Sequence, residues 1–271
     1  MRCDLIRSLR GTCVFAFVLL AFGAASAQNE FTGFYVGANG GGTFGRLQVD
    51  TSPVFSPTGY FATTSTPAIT AASNQTISTN GFNASGVIGY SHQWDNFVFG
   101  LEADFGSMSL SGSTTTGPIQ YPCCPPTPTS PNNFTVVQTA KTSWMLSMRP
   151  RFGWVFGHFL AYGTVGADFT NVKYTALFTD TFAAANESAS IDETRPGWIV
   201  GGGGEYRLAH HWSVKGEYLY SDFGTATVPS ANLTAFPLPS PPGPFSFPTN
   251  VFTHTVDPKA HIVRAGVNFR F

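Results

Sequence analysis

Near the end of the chain every second residue is apolar. Phe271, Phe269, Val267, Ala265 and Val263 alternate with Arg270, Asn268, Gly266 and Arg264, and Ile262 is the exception. A period of two is the mark of a strand with one apolar and one polar face. A tilted strand crosses a bilayer in about 9–11 residues, and this one is long enough. A strand that faces lipid must be paired along both edges, so the sheet is expected to close on itself.

The same alternation returns in eight segments from Gly33 onward. The first, 33–44, sets Phe34, Val36 and Ala38 against Tyr35, Gly37 and Asn39. The second, 82–93, carries Ala84, Gly86, Ile88 and Tyr90 outward, and Trp94-Asp95-Asn96 turns the chain. The third, 97–110, divides Phe97, Phe99, Leu101, Ala103 and Phe105 from Val98, Gly100, Glu102 and Asp104. In the fourth, 142–156, Trp144, Leu146, Met148, Pro150, Phe152 and Trp154 point outward and Arg149 and Arg151 inward. Pro150 cannot donate a ladder hydrogen bond, which predicts a bulge there. Gly157-His158 is a turn into 159–172, whose two faces the pattern leaves open. Strand six, 195–208, places Trp198, Val200 and Tyr206 outward, with Glu205 and Arg207 inward. After the turn Ala209-His210-His211, strand seven, 212–224, places Trp212, Val214, Tyr218 and Tyr220 outward, with Ser213, Lys215 and Glu217 inward.

Between these segments, short turns alternate with long Thr/Ser/Pro-rich connections at 45–80, 111–140, 173–193 and 225–258. Outer-membrane barrels have an even strand number, short periplasmic turns and long external loops. The expected fold is therefore all-β: an eight-stranded antiparallel up-and-down transmembrane β-barrel with long extracellular loops. Phe34, Trp94, Phe97, Trp154, Phe156, Tyr206, Trp212 and Phe271 form a lower aromatic girdle, and Phe44, Phe82, Phe105, Trp144, Trp198 and Phe223 an upper one. A soluble lipocalin-like barrel would bury its apolar face and would not ring both rims with aromatics.

Composition narrows the choice further. With 11% charged residues, 15% aromatic, 29 Gly and 26 Phe, the chain is unlike a helical protein or an ordinary soluble enzyme. Mean hydropathy near zero excludes a helical membrane protein, whereas alternation in a barrel hides its hydrophobicity from any average. Residues 1–27 read as a secretory signal: Arg2, Arg7 and Arg10, an apolar run from Cys13 to Gly23, then Ala25-Ser26-Ala27 before Gln28. The domains are thus a signal peptide over 1–27 and a barrel over 28–271. Loss of the signal moves the formal charge from −1 to −3, with no basic tract for nucleic acid. It also removes Cys3 and Cys13 and leaves the vicinal pair Cys123-Cys124 in a Pro-rich loop. An oxidising compartment favours a local bridge or oxidised loop cysteines over catalysis.

The stretches Phe31–Gly37, Phe97–Asp104, Trp212–Tyr220 and the last strand resemble one family. It is the small alphaproteobacterial outer-membrane β-barrel group of OmpA-like architecture, whose members are called outer membrane immunogenic protein or porin-family protein. The resemblance covers the strands of the mature chain and not its connections. It implies an eight-stranded barrel in the bacterial outer membrane, a surface antigen of the cell envelope, with "porin" implying no channel. It also implies that the end of the chain, Val267, Phe269 and Phe271, is the part met by the barrel-assembly machinery. Further expected partners are outer-membrane lipid and lipopolysaccharide, and host or surface ligands at the loops.

Candidate chemistry is sparse. Gly40-Gly41-Gly42-Thr43-Phe44-Gly45 fits G-x-G-x-x-G, but no helix follows to hold a pyrophosphate, so small residues at a strand end are the simpler reading. Gly201–Gly204 reads as close packing or barrel curvature. His210-His211 lacks the further convergent ligands of a metal site. A lipid hydrolase would need His, Ser and an acid to meet at the rim, yet His92 and Ser91 point to opposite faces and His261 has no nearby Ser. No catalytic, metal or cofactor site is therefore expected; the expected function is a non-enzymatic barrel contributing to envelope structure and surface interaction, and the alternatives are a small diffusion porin and a lipid-modifying enzyme. The informative set points inward: Glu102, Asp104, Arg149, Arg151, Glu205, Arg207, Lys215, Glu217, Arg264 and Arg270. An eight-stranded lumen is filled by its own side chains, so these charges are expected to pair across it.

Overall fold

A computed structural model describes residues 30–128, 131–236 and 244–271; the expected signal over 1–27 lies outside them. Among the described residues, eight long strands make a ring: β1 (Gly33–Pro53), β2 (Gln75–Trp94), β3 (Phe97–Gln120), β4 (Asn133–Phe156), β5 (Phe159–Asp180), β6 (Asn186–Arg207), β7 (Trp212–Asp222) and β11 (Phe252–Arg270). Each pairs antiparallel with its neighbour in sequence order, β7 pairs with β11, and β11 closes on β1 from Tyr35↔Arg270 to Pro53↔Phe252. Three short pieces, β8 (Ala226–Pro229), β9 (Leu233–Ala235) and β10 (Phe245–Phe247), extend the sheet above β7. The short turns follow their residues: Asp95 (φ 52°) and Gly157 (φ 62°) take the left-handed conformation that reverses the chain in few residues.

The lower half of the ring is built as expected. Outward residues from Phe34 to Phe44 on β1, and their counterparts on the other strands, are apolar and exposed. Tilted by roughly 40°, such a segment rises roughly 25 Å, the height of a lipid-facing band. On β5, unsettled by sequence, Phe159, Val165 and Phe169 face outward while Leu160, Tyr162, Thr164 and Asp168 are buried. The lower girdle residues are all exposed, Trp94 at 76% and Phe271 at 72%. In the upper girdle Phe223 is a correction: it lies inside, packed with Met108, Leu110, Ile199 and Leu219, because it shares the inward parity of Ser213, Lys215 and Glu217 on β7.

The largest departure concerns the long connections. Most of 45–80, 111–140, 173–193 and 225–258 is not loop: β1 runs on to Pro53, β3 to Gln120, β5 to Asp180, and β2, β4, β6 and β11 begin correspondingly early. Above the band the same alternation continues with its polarity exchanged. Leu47, Val49, Ile77, Tyr174, Ala176 and Val256 now point inward and are buried, while Arg46, Gln48, Ser78 and Thr175 face outward. Water has replaced lipid outside the wall, so the apolar face turns to the interior as in a soluble sheet. A helix, α1 (Ser65–Ser73), enters this upper interior. It carries Pro67 in its first turn, where proline is tolerated, and buries Ile69 and Ala72, three residues apart on one face.

Candidate functional site: a charged lumen beneath an apolar plug

Alternation delivers one inward side chain every second residue, and paired strands bring these to common levels. In the lipid-facing half that places Glu102 and Asp104 of β3 beside Arg149 and Arg151 of β4, and Lys215 and Glu217 of β7 beside Arg264 of β11. Their side chains meet across the lumen. Arg149 Nη2 lies 2.7 Å from both Glu102 Oε1 and Asp104 Oδ2. Arg151 reaches Glu102 at 3.2 Å and Glu205 at 2.8 Å, and Lys215 Nζ reaches Glu102 at 3.0 Å. Arg264 donates to Glu217 at 2.5 Å and to Asp104 at 2.9 Å, and Arg270 stands 3.6 Å from Glu205. Nine of the ten inward charges read from the sequence thus join one connected lattice, every member buried.

Arg207 does not join it. It closes β6 one inward position below Glu205, at the short-turn rim, and donates instead to the His210 carbonyl. Two lattice members, Tyr35 and Tyr162, and one buried neighbour, Asp168, were not singled out by sequence reasoning. Tyr35 donates its hydroxyl to Glu102 and accepts from Arg151, each at 2.9 Å. Tyr162 donates to Glu217 at 3.0 Å, and its ring lies under the Arg151 guanidinium at 3.9 Å. Asp168 is fully buried opposite Ser147 in register. A tyrosine at an inward position of a charge-rich level is the available signal, since a buried phenol needs a partner.

Above the lattice the interior is apolar. Phe61, Ile69, Ala72, Tyr121, Phe134, Phe178, Leu233 and Phe252 pack into one cluster spanning α1, β4, β5, β9 and β11. Asp180, at the upper end of β5, ties its rim together: it accepts from Tyr60 at 2.6 Å, Tyr121 at 2.9 Å and the Ala185 amide at 2.8 Å. Burial first, then the adjoining Asp180 carboxylate, pushes both phenols up, so they stay protonated donors. Glu187 and His254 are the two ionisable groups beside a small gap lined by Ser73, Val136, Phe178, Ser230 and Phe252. Glu187 accepts from Ser230 and from the Phe252 amide at 3.0 Å, and burial pushes its carboxyl up to about 7. His254 Nδ1 lies 2.9 Å from Thr51 Oγ1 and 3.3 Å from the Tyr174 hydroxyl, and burial lowers its imidazole to about 4.

The remaining candidates occupy structural positions. Gly40, Gly42 and Gly45 lie within β1. A Cβ on Gly203 would come within 2.3 Å of the Gly216 carbonyl oxygen, so glycine there permits the close approach of β6 and β7. Ser91 points inward to the Phe31 carbonyl, 2.6 Å away, while His92 faces out. His261 sits on the outer wall against Tyr218 and Tyr220. His211 lies 2.8 Å from the Arg270 carbonyl, and no group of three or more His, Cys, Asp or Glu able to hold a metal occurs among the described residues. Cys123 and Cys124 form a disulfide with each other; Cys123 is exposed and receives the Ser65 hydroxyl, and Cys124 packs against the apolar cluster. Val267 and Phe271 are exposed on the outer face of the wall, and Phe269 is partly covered by Trp212.

A closed antiparallel ring with an outward apolar band, aromatic rims and a polar lumen defines an outer-membrane β-barrel protein. The chain belongs to the outer membrane protein beta-barrel domain family, whose model matches residues 13–271. It is 27% identical over 197 residues to the 31 kDa outer-membrane immunogenic protein of Brucella melitensis, covering 72% of this chain and 68% of that one. It is 26% identical over 146 residues to the 22 kDa outer membrane protein of Rhizobium leguminosarum, covering 54% of each. Among solved structures, the outer membrane protease OmpT of Escherichia coli aligns with a TM-score of 0.42 and 9% identity, covering 91% of this chain and 99% of that one. The protein resides in the outer membrane.

Proposed function

We propose that this is a non-enzymatic, non-conducting barrel whose role is to strengthen the envelope and hold a rigid surface outside the cell, with the long-connection end facing outward. One observation carries the reading. The lumen is filled twice over, by the ion-pair lattice at the level of the lipid and by the apolar plug above it. A charged lattice without room for a water column, under a dry cluster, leaves no path for solutes. Ser230, Glu187 and His254 share one buried gap above the lipid-facing band, but His254 bonds Thr51 and Tyr174 rather than Ser230, and among the described residues no serine hydroxyl is hydrogen-bonded to a histidine, which supports the non-enzymatic part.

The test is planar-bilayer recording of the refolded protein. No stable conductance steps are expected from the parent chain. Large, persistent channels would overturn the reading in favour of a diffusion porin. Hydrolysis of outer-leaflet lipid by the purified protein would overturn it in favour of a lipid-modifying enzyme.

A further inference from the structure

Apart from Arg207 at the lower turn, the outward-facing positive charges are confined to a narrow zone. Eleven Lys and Arg follow residue 27. Five are buried in the lattice, Arg207 lies at the lower turn, and Arg195 has inward parity on β6. The other four, Arg46, Lys141, Lys173 and Lys259, all face outward just above the upper aromatic girdle. That zone is where the headgroups of the outer leaflet meet the wall.

Two of the four are set against each other. Lys141 and Lys173 are direct cross-strand partners on β4 and β5, both on the outer face. Like charges directly opposite destabilise a sheet unless something answers them. Lys173 is answered in part by Asp192 at 2.7 Å. Lys141 has no ion pair or hydrogen bond among the described residues and is exposed. The surroundings are hydroxyl-rich. Ser111 is the β3 partner of Lys141, and a register shift in the β4–β5 ladder between Thr142 and Met145 brings Ser143 to Asn171 at 2.8 Å. Directly below lie Trp144, its ring 6.2 Å from Phe105, and Phe169. Two ammonium groups outnumber one carboxylate here, above aromatic rings and beside amide and hydroxyl groups.

We infer that the β3–β5 face is a binding site for a phosphorylated sugar headgroup of an acylated outer-leaflet lipid. Lys141 and Lys173 take the phosphate, Ser111, Ser143 and Asn171 face the sugar, and the acyl chains lie along Trp144, Phe105 and Phe169. Arg46 and Lys259 pair in the same way on β1 and β11, but Asp257 at 2.7 Å and Asp222 at 3.9 Å already surround Lys259. That seam is therefore the weaker of the two for an anion.

The experiment uses the full mature chain refolded in neutral detergent, with native mass spectrometry reading lipid adducts. The probes are a multiply acylated disaccharide bisphosphate, its dephosphorylated counterpart and inorganic phosphate. Binding of the bisphosphate lipid should exceed that of the dephosphorylated lipid and fall with rising salt. Lys141→Ala/Lys173→Ala should weaken it by about tenfold to thirtyfold, given the usual contribution of one basic residue at an anionic surface. Arg46→Ala should change it less than about twofold, and Lys141→Arg/Lys173→Arg should retain it. Heat-modifiable migration on gels establishes that each variant is folded, and the salt series on the parent does not depend on them. Equal binding of the two lipids, or an unchanged double variant, would overturn the site. Displacement of the lipid by millimolar inorganic phosphate would mean a free-phosphate site instead and overturn the lipid assignment.

Discussion

Glu187 and His254 make opposite demands on pH, and separating them is a strict test of the apolar plug. Both are 3% exposed and line the same gap. Burial raises the Glu187 carboxyl from an ordinary 4.5 to about 7, so between those values the folded chain keeps a proton that the unfolded chain has lost. Its contribution to stability is full below 4.5 and is lost as pH rises through 7. Burial lowers His254 from 6.5 to about 4, so the folded chain resists a proton that the unfolded chain takes. Its contribution is present above 6.5 and is lost as pH falls through 4. Each shift corresponds to roughly 3 kcal/mol over its whole range, with slopes of about 1.4 kcal/mol per pH unit and opposite sign. Between about pH 4.5 and 6.5 the two should nearly cancel.

Substitution removes the cancellation. Glu187→Gln keeps the shape and leaves the histidine alone, so the stability of the variant relative to its parent should rise with pH, by roughly 3 kcal/mol from pH 4 to 7. His254→Gln should do the reverse over the same window. Reversible urea unfolding from lipid vesicles, followed by tryptophan fluorescence at half-unit steps of pH, gives both differences. The other titrating groups are common to all three proteins and drop out. Two difference curves that are flat, or that slope the same way, would refute the burial argument for this gap.

Two further outcomes follow from the geometry. Glu102→Ala takes from buried Lys215 its only close carboxylate and from Arg149 and Arg151 one of theirs, so it should cost about 3–5 kcal/mol and lower the temperature of heat-modifiable unfolding, while a substitution at exposed Pro122 should leave it unchanged. Proteases added to intact cells should cut within 54–64, 121–132, 181–185 or 231–251. They should spare 111–120, 133–140 and 173–180, which are hydrogen-bonded strand; cutting confined to Trp94–Asn96 would mean an inverted barrel.

What the chain disclosed of itself depended on which side of the wall carried the apolar residues. Strand number, closure, short turns and the inward set were legible because, over 33–44 or 97–105, outward residues are apolar or glycine and the inward ones include Tyr35, Asn39, Thr43, Glu102 and Asp104. The upper halves read as loops because the signal changes sign there, not because it fades. Leu47 and Val49 continue the parity of Asn39 and Thr43, and Tyr174, Ala176 and Phe178 continue that of Asp168. A reader following outward hydrophobicity sees Arg46, Gln48 and Asp50 and declares a loop. β5 was ambiguous for a related reason: its inward Leu160 and Tyr162 are more apolar than its outward Ala161 and Gly163. The Tyr162 hydroxyl decides the matter by reaching Glu217.

The exchange of polarity also bears on why the lipid-facing half has a charged interior at all. The same eight strands could in principle carry an apolar filling from end to end, as they do above the girdle. Below it, both faces of each strand would then be apolar. Such segments would be continuous apolar runs rather than amphipathic strands. Alternation with charge keeps each segment amphipathic and the mean hydropathy of the chain near zero. The buried charges need not add stability over a well-packed apolar lumen, and replacing a buried ion-pair network with apolar residues is often neutral or stabilising. In the upper half the wall faces water, the outward residues supply the polarity, and the interior is free to be dry.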